Sequence, residues 1–418
     1  MRQLRSTSAL TDPGGQNVRF HSAFSAIAAS LITLLPVHAA AQDLESSVSV
    51  RDRSREEYDP LGRRVGGFTL NASIDLTAES VDNLFGEEVN EDSDVILAAT
   101  PRARLDSNWS RHALRLEAGA RFEGHQDFSN EDANTAYARA VGRLDVGSNS
   151  NITGALSTER LVESRISPDA PIGGDPVEYD RTEVSVGASH RFNRVRVSGG
   201  VAQRQYEYEG AQAFRDEDQT EAQGRIDVEL TPRIGLVGQA IVDNREFDNN
   251  PGFDSDGRTL LAGVTVDFSD LVRGEVNVGQ FDRDYDSGAS LDGVAIDAHV
   301  EWYITGLTTL TFDASRNTEE VAGNVALPYT ESEYGARIDH ELRRNIILTA
   351  GADFGRREYE VIDREDEFRR FDVGADYLLN RRVALEARYS YDEVESSGAN
   401  RYRDFEVNQF MAGVSFRL

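Results

Sequence analysis

The 418-residue chain has no cysteine. Disulfides, thiolate metal sites and cysteine nucleophiles are therefore excluded. It has no lysine either, so all 44 basic residues are arginine, set against 73 Asp and Glu for a formal net charge of −29. A surface that acidic repels phosphate, which excludes nucleic acid as a partner class. Proline is scarce, with 10 residues beside 35 Gly, a poor composition for a disordered linker. Apolar residues make up 39% of the chain and mean hydropathy is −0.49. That excludes a membrane protein built from many apolar helices.

The one apolar run of note lies near the start. Arg2, Arg5 and Arg19 precede Ala23–Leu35, Pro36 ends the run, and Ala39-Ala40-Ala41 follows. The run is too short to span a bilayer core of roughly 30 Å as a helix. Basic start, short apolar stretch and small residues together read as an export signal over 1–41, with cleavage leaving Gln42 as the first residue. Residues 42–65 are then expected as an N-terminal extension on the periplasmic side, and 66–418 as the folded unit.

From residue 66 onward the dominant signal is a period of two. Phe68, Leu70, Ala72, Ile74 and Leu76 alternate with Thr69, Asn71, Ser73, Asp75 and Thr77. The same pattern recurs over 181–192, 220–230, 294–304 and 371–379. It describes strands with one apolar and one polar face. Short turns are expected near 108–110, 148–150, 193–194, 231–233, 269–271, 305–307, 344–345 and 380–381. They recur about every 38 residues and alternate with longer polar loops such as 86–94, 163–180, 245–257 and 393–404. Eight turns and nine loops join about 18 strands. The closing stretch Phe410–Leu418 alternates to its last residue. Such a strand leaves an unpaired edge unless it closes on the first one.

The polar positions are heavily charged, whereas many apolar ones are small, such as Ala118, Ala120, Ala138 and Gly142. Small residues build a poor packed core but suffice against lipid. The sequence therefore predicts an all-β fold: a transmembrane antiparallel up-and-down barrel of about 18 strands. Its apolar face meets lipid and its polar face lines water.

Sorting charges by strand gives two walls. Arg102, Arg104, Arg115, Arg121, Arg139, Arg143, Arg181, Arg191, Arg196, Arg204 and Arg225 are expected on a mixed-to-basic side of the lumen. From Asp227 onward the inward charges are expected to be mainly acidic, including Asp297, Glu301, Asp339, Glu341, Asp372 and Asp376. Only Arg273, Arg337, Arg370 and Arg388 are expected to oppose them. Such a lining either orients solutes across the lumen or pairs between strands to stiffen the wall.

No catalytic constellation is evident. The seven His are dispersed, and no zinc-protease or nucleophile-elbow spacing occurs. His125, Asp127 and Ser129 lie close in sequence, as chance allows in a chain this polar. No enzyme activity, cofactor or metal site is expected.

The stretch RDRSREEYDPLGRRVGGFTL at 51–70, followed by VDNLF at 81–85, resembles the opening of the putative beta-barrel porin 2 family. The carriers are Arg53, Glu57, Tyr58, Asp59, Pro60, Gly62, Arg64, Gly66 and Phe68, then Asp82, Asn83 and Phe85. The resemblance implies an outer-membrane barrel associated with exopolysaccharide or capsule export. It also implies a polysaccharide substrate and a periplasmic polysaccharide-export protein as partner. Outer-membrane lipid and lipopolysaccharide are the expected surroundings. A general diffusion porin and a non-conducting structural or adhesive barrel are the alternative readings.

Overall fold

The computed structural model describes residues 48–167, 174–268, 271–321 and 327–418. The export signal expected over 1–41 lies outside the described residues, as do the centres of the loop after residue 167 and of the turn at 269–271. No helix among the described residues is long and apolar enough to cross a membrane.

A short strand, β1 (Arg63–Val65), forms a hairpin with β2 (Phe68–Val81) across Gly66, whose φ of +59° suits glycine. Then follow β3 (Asp94–Ser107), β4 (Ala113–His125), β5 (Asn134–Val146), β6 (Ser150–Val162) and β7 (Glu178–Phe192). The chain continues through β8 (Val195–Tyr208), β9 (Glu217–Thr231), β10 (Ile234–Phe247), β11 (Ser255–Asp267), β12 (Val272–Tyr285) and β13 (Ser290–Thr305). Last come β14 (Thr308–Val321), β15 (Leu327–Arg343), β16 (Ile346–Tyr359), β17 (Glu365–Asn380), β18 (Val383–Ser397) and β19 (Phe405–Arg417).

From β2 to β19 every strand pairs antiparallel with its sequence neighbours, and β19 pairs with β2 from Gln409↔Val81 to Arg417↔Ser73. Leu418 extends the seam by donating its N–H to Ala72 O at 2.9 Å. The result is a closed 18-stranded up-and-down barrel without a free edge, the condition lipid imposes on backbone polar groups. Eight connections of two to five residues lie at one end and nine of four to fifteen at the other, the alternation the sequence predicts. Strands run further into the loops than the sequence suggests: β18 takes in Glu393–Ser397, expected as loop.

The two faces differ as the period of two requires. On β7, Val184 and Val186 are exposed on the outside, while Ser185 between them is buried. Ile74 and Leu76 are exposed, while Asp75, Thr77 and Glu79 are buried. The wall bends hardest at β12, where Cα atoms of β11 and β13 approach within 8 Å. Three inward glycines, Gly119, Gly293 and Gly355, seat the rings of Tyr137, Phe281 and Phe368 directly opposite. A Cβ on Gly119 would lie 2.6 Å from the Tyr137 ring, and one on Gly293 2.6 Å from Phe281. Ring and glycine fit together there as tenon and slot.

Candidate functional site

The pairing register puts the sequence-predicted charges on one face, the inner one. All eleven arginines of the first wall share that face with Asp75, Glu79, Asp106, Glu117, Glu183 and Glu221. Asp297, Glu301, Asp339, Glu341, Asp372 and Asp376 fall on the same face of the second wall.

Most of these charges meet an opposite one. Arg102 holds Asp75 at 2.6 Å, and Arg115 holds Asp106 at 2.8 Å. Arg121 holds Glu79 at 2.7 Å, and Arg181 holds Glu159 at 2.6 Å. Arg104 holds Asp106 at 2.9 Å and Arg143 holds Asp145 at 3.0 Å. Arg191 reaches Glu229 at 2.6 Å, and Arg204 bridges Glu183 at 3.1 Å and Glu221 at 3.2 Å. Arg225 forks onto both oxygens of Glu275 at 2.7 Å, crossing two intervening strands. On the acidic side, Asp372 is 3.8 Å from Arg337 and Asp376 is 3.1 Å from Arg388. Glu301 accepts from the Tyr303 hydroxyl at 2.6 Å, and Asp297 from Asn277 at 3.3 Å.

One expectation needs correction. Arg273, Arg337, Arg370 and Arg388 are not the only arginines facing the acidic wall. Arg245, Arg283, Arg357 and Arg417 also fall on the inner face. Arg283 and Arg357 pair with Asp243 and Glu331. Arg245 falls where the sequence predicts a loop, whereas Arg417 falls on the polar side of the predicted closing strand. The acidic excess of this wall remains, with Glu331, Glu333, Asp353, Asp366, Glu386 and Asp392 also facing inward.

The inner face is also less uniformly polar than the alternation suggests. At the long-loop end, Val81, Ile96, Phe368, Val394, Phe405 and Val407 face inward and pack with Ile166 from the loop after β6. Ile166 is drawn in by its neighbour: Arg165 forks onto Glu131 at 2.7 Å on each arm, and Arg403 donates to Arg165 O at 2.7 Å. Tyr206 with Tyr208, and Tyr329 with Tyr359, form further inward clusters.

The short-turn mouth holds the larger surprise, because the N-terminal segment folds back into it. Arg51 Nε lies 2.7 Å from Asp339 and Nη1 3.2 Å from Asp376, while Nη2 donates to Thr349. Glu341 receives Arg55 at 3.3 Å and Arg53 at 3.5 Å. Val50 is fully buried and donates its N–H to Thr309 Oγ1 at 3.0 Å. Burial pulls the Arg51 guanidinium down, but Asp339 and Asp376 together hold it above its ordinary value. At Arg55 burial wins over Glu341 and Asp59, and the value falls. Alternation could not find this contact, since 48–62 has no strand period.

The family signature acquires a physical role. Asp59 accepts from the Ser54 hydroxyl at 3.0 Å and from the Arg55 N–H, and Tyr58 N–H and Asp59 N–H both return to Arg55 O. Glu57, Tyr58, Asp59 and Pro60 thereby form a tight reversal that aims 48–55 into the mouth. Gly62 has φ +64°, and a Cβ there would lie 2.6 Å from Asn71 Oδ1. In the second half, Asp82 accepts from Asn408 N and Nδ2, both at 2.7 Å. Asn83, fully buried, bonds Glu87 O, Glu406 O and Glu87 N–H at 2.9, 3.0 and 2.9 Å. Phe85 packs edge-on against Phe128 at 5.2 Å. Asp82 and Asn83 seal the β2–β19 seam beyond the last strand pair, and Phe85 ties the loop after β2 to the loop after β4.

His125 is not part of a triad. Its Nδ1 lies 2.8 Å from Asp94, the Asp127 N–H binds the same carboxylate, and Ser129 opens a separate turn.

A closed barrel with an apolar exterior and a charge-lined interior is the architecture of an outer-membrane β-barrel. The chain belongs to the family described as putative beta-barrel porin 2, which matches residues 56–418. No curated protein matched the sequence. Similar solved structures include Pseudomonas aeruginosa OccK2 (OpdF), 12% identical with a TM-score of 0.49 over 84% of this chain and 98% of that one. That protein has also been solved in complex with glucuronate. Acinetobacter baumannii OccAB3 is 10% identical, with a TM-score of 0.49 over 85% of this chain and 100% of that one.

Proposed function

We propose that this outer-membrane channel is a conduit for secreted exopolysaccharide or capsule polymer. The observation that carries the reading is the pairing of inward charge. Most inward arginines are paired with carboxylates, which leaves a lining of hydrogen-bond donors and acceptors with an acidic excess on the second wall. A hydroxyl-rich chain can exchange hydrogen bonds with such a lining step by step. An 18-stranded barrel is wide enough to hold water. The family resemblance at 51–85 supports the same substrate class, and a periplasmic polysaccharide-export protein would dock at the short-turn end.

The test is deletion of the gene followed by an assay of surface and secreted polysaccharide. The proposal expects polymer to be lost from the surface and restored by the intact gene. Unchanged polymer together with slower uptake of small solutes would favour a general diffusion porin. The seated N-terminal segment, which narrows the periplasmic mouth, suits that alternative. Unchanged polymer with no channel conductance would favour a structural or adhesive barrel.

A further inference from the structure

We propose that residues 48–59 are a releasable gate, and that Asp339, Glu341 and Asp376 become a cation-selecting site when the gate leaves. The inference rests on the chain being a channel and holds for either solute class.

The segment starts from β1, which is hydrogen-bonded to β2, and runs back past β19 and β18 to reach β14–β17. On the way Arg381 grips Glu56 O through Nε at 3.0 Å. Its contacts with the wall come from one-sided chemistry. Three arginines at 51, 53 and 55 meet the carboxylates of Asp339, Glu341 and Asp376. Beyond them the buried Val50 adds an apolar anchor, with hydrogen bonds from its N–H to Thr309 and from Arg51 to Thr349. Two of the segment's four acidic groups turn inward on it, as Asp52 accepts from the Ser49 hydroxyl and Asp59 closes the reversal, while Glu56 and Glu57 are exposed. No strand pairing ties 48–59 to the barrel, whereas the β1–β2 hairpin just after it is paired. Residues 48–59 hold the wall through side-chain ion pairs and a few hydrogen bonds instead of strand pairing, and such a segment opens more readily than a paired strand.

Release changes the mouth in two ways. It removes a length of chain from the opening, and it uncovers negative charge. Arg344 at 3.5 Å still faces Glu341, and Arg388 at 3.1 Å still faces Asp376. Asp339 loses Arg51 and keeps the Thr349 hydroxyl. Carboxylates exposed in a constriction favour cations. The seated state is therefore narrow and nearly neutral, and the released state is wide and cation-selective.

The experiment uses the purified full chain in planar lipid bilayers under a KCl gradient. Arg51→Ala/Arg53→Ala/Arg55→Ala should raise single-channel conductance by about twofold or more and move the reversal potential toward that of K⁺. Asp339→Asn/Glu341→Gln/Asp376→Asn should also raise conductance, but without the cation shift. Adding Val50→Cys and Thr309→Cys to the triple arginine variant supplies a lock, with no native cysteine to compete. Oxidation should return conductance to the wild-type level, and dithiothreitol should reverse it. Conducting variants that match the wild type in conductance and reversal potential would overturn the gate while leaving the channel intact. A rise that the oxidised lock does not reverse would also overturn it. No current from wild type or any variant would overturn the channel and the gate together.

Discussion

Arg357 offers the sharpest test of how the inner face is held together. Its side chain is 2% exposed, its Nε lies 2.6 Å from Glu331, and its guanidinium sits 4.5 Å from the centre of the Phe368 ring. Arg357→Ala removes the ion pair and the cation–π contact and leaves Glu331 without this partner. Breaking a buried pair by deleting one member costs about 3–5 kcal/mol. Glu331 is 17% exposed, so water relieves part of that, and about 3 kcal/mol is the expected loss. With a urea m-value of about 3 kcal/mol/M, the unfolding midpoint should fall by about 1 M. The assay is urea titration of the barrel in detergent, followed by Trp109 and Trp302 fluorescence. The double variant Arg357→Ala/Glu331→Ala should recover part of the loss, with a coupling of about 1–3 kcal/mol. A midpoint unmoved by Arg357→Ala, or strictly additive single variants, would refute the argument.

Two further outcomes follow from the wall itself. Gly293→Ala should destabilise the barrel by about 1–3 kcal/mol, because the new methyl meets the Phe281 ring in its slot; the same titration reads it, and combining it with Phe281→Ala should relieve the clash. Val186→Arg, in the middle of β7 on the outer face, should cost about 2–4 kcal/mol of stability in a bilayer, measured by folding into lipid vesicles, whereas Ser185→Arg next to it should cost clearly less.

Much of the barrel was legible because lipid leaves few solutions. Alternation at Val184, Ser185 and Val186 fixes which residues share a face. The tight turns at Asn193-Arg194 and Arg344-Asn345 fix where strands reverse. The final strand to Leu418 implied its own closure. Parity alone then put all the expected arginines and carboxylates on one face. What alternation could not supply was any contact made by a segment without a period. The seating of Arg51 on Asp339 and Asp376 is a tertiary event between residues 288 and 325 positions apart, and no local pattern announces it. The inward Ile166 is similar, since an isoleucine in a polar loop looks like ordinary surface until Arg165 and Glu131 are seen to pull it in. Arg357 was missed for a simpler reason: strands in a barrel extend past the membrane, so charge near a loop still belongs to the wall.

The account depends on which face is wetted, and one measurement addresses that directly. Single cysteines at Glu183, Val184, Ser185, Val186, Gly187 and Ala188, each carrying a nitroxide label, can be compared in lipid vesicles for collision with dissolved oxygen and with a water-soluble nickel chelate. The account predicts oxygen access at Val184, Val186 and Ala188 and nickel access at Glu183, Ser185 and Gly187, alternating residue by residue. Nickel access at the valines, or the same response at all six positions, would contradict it.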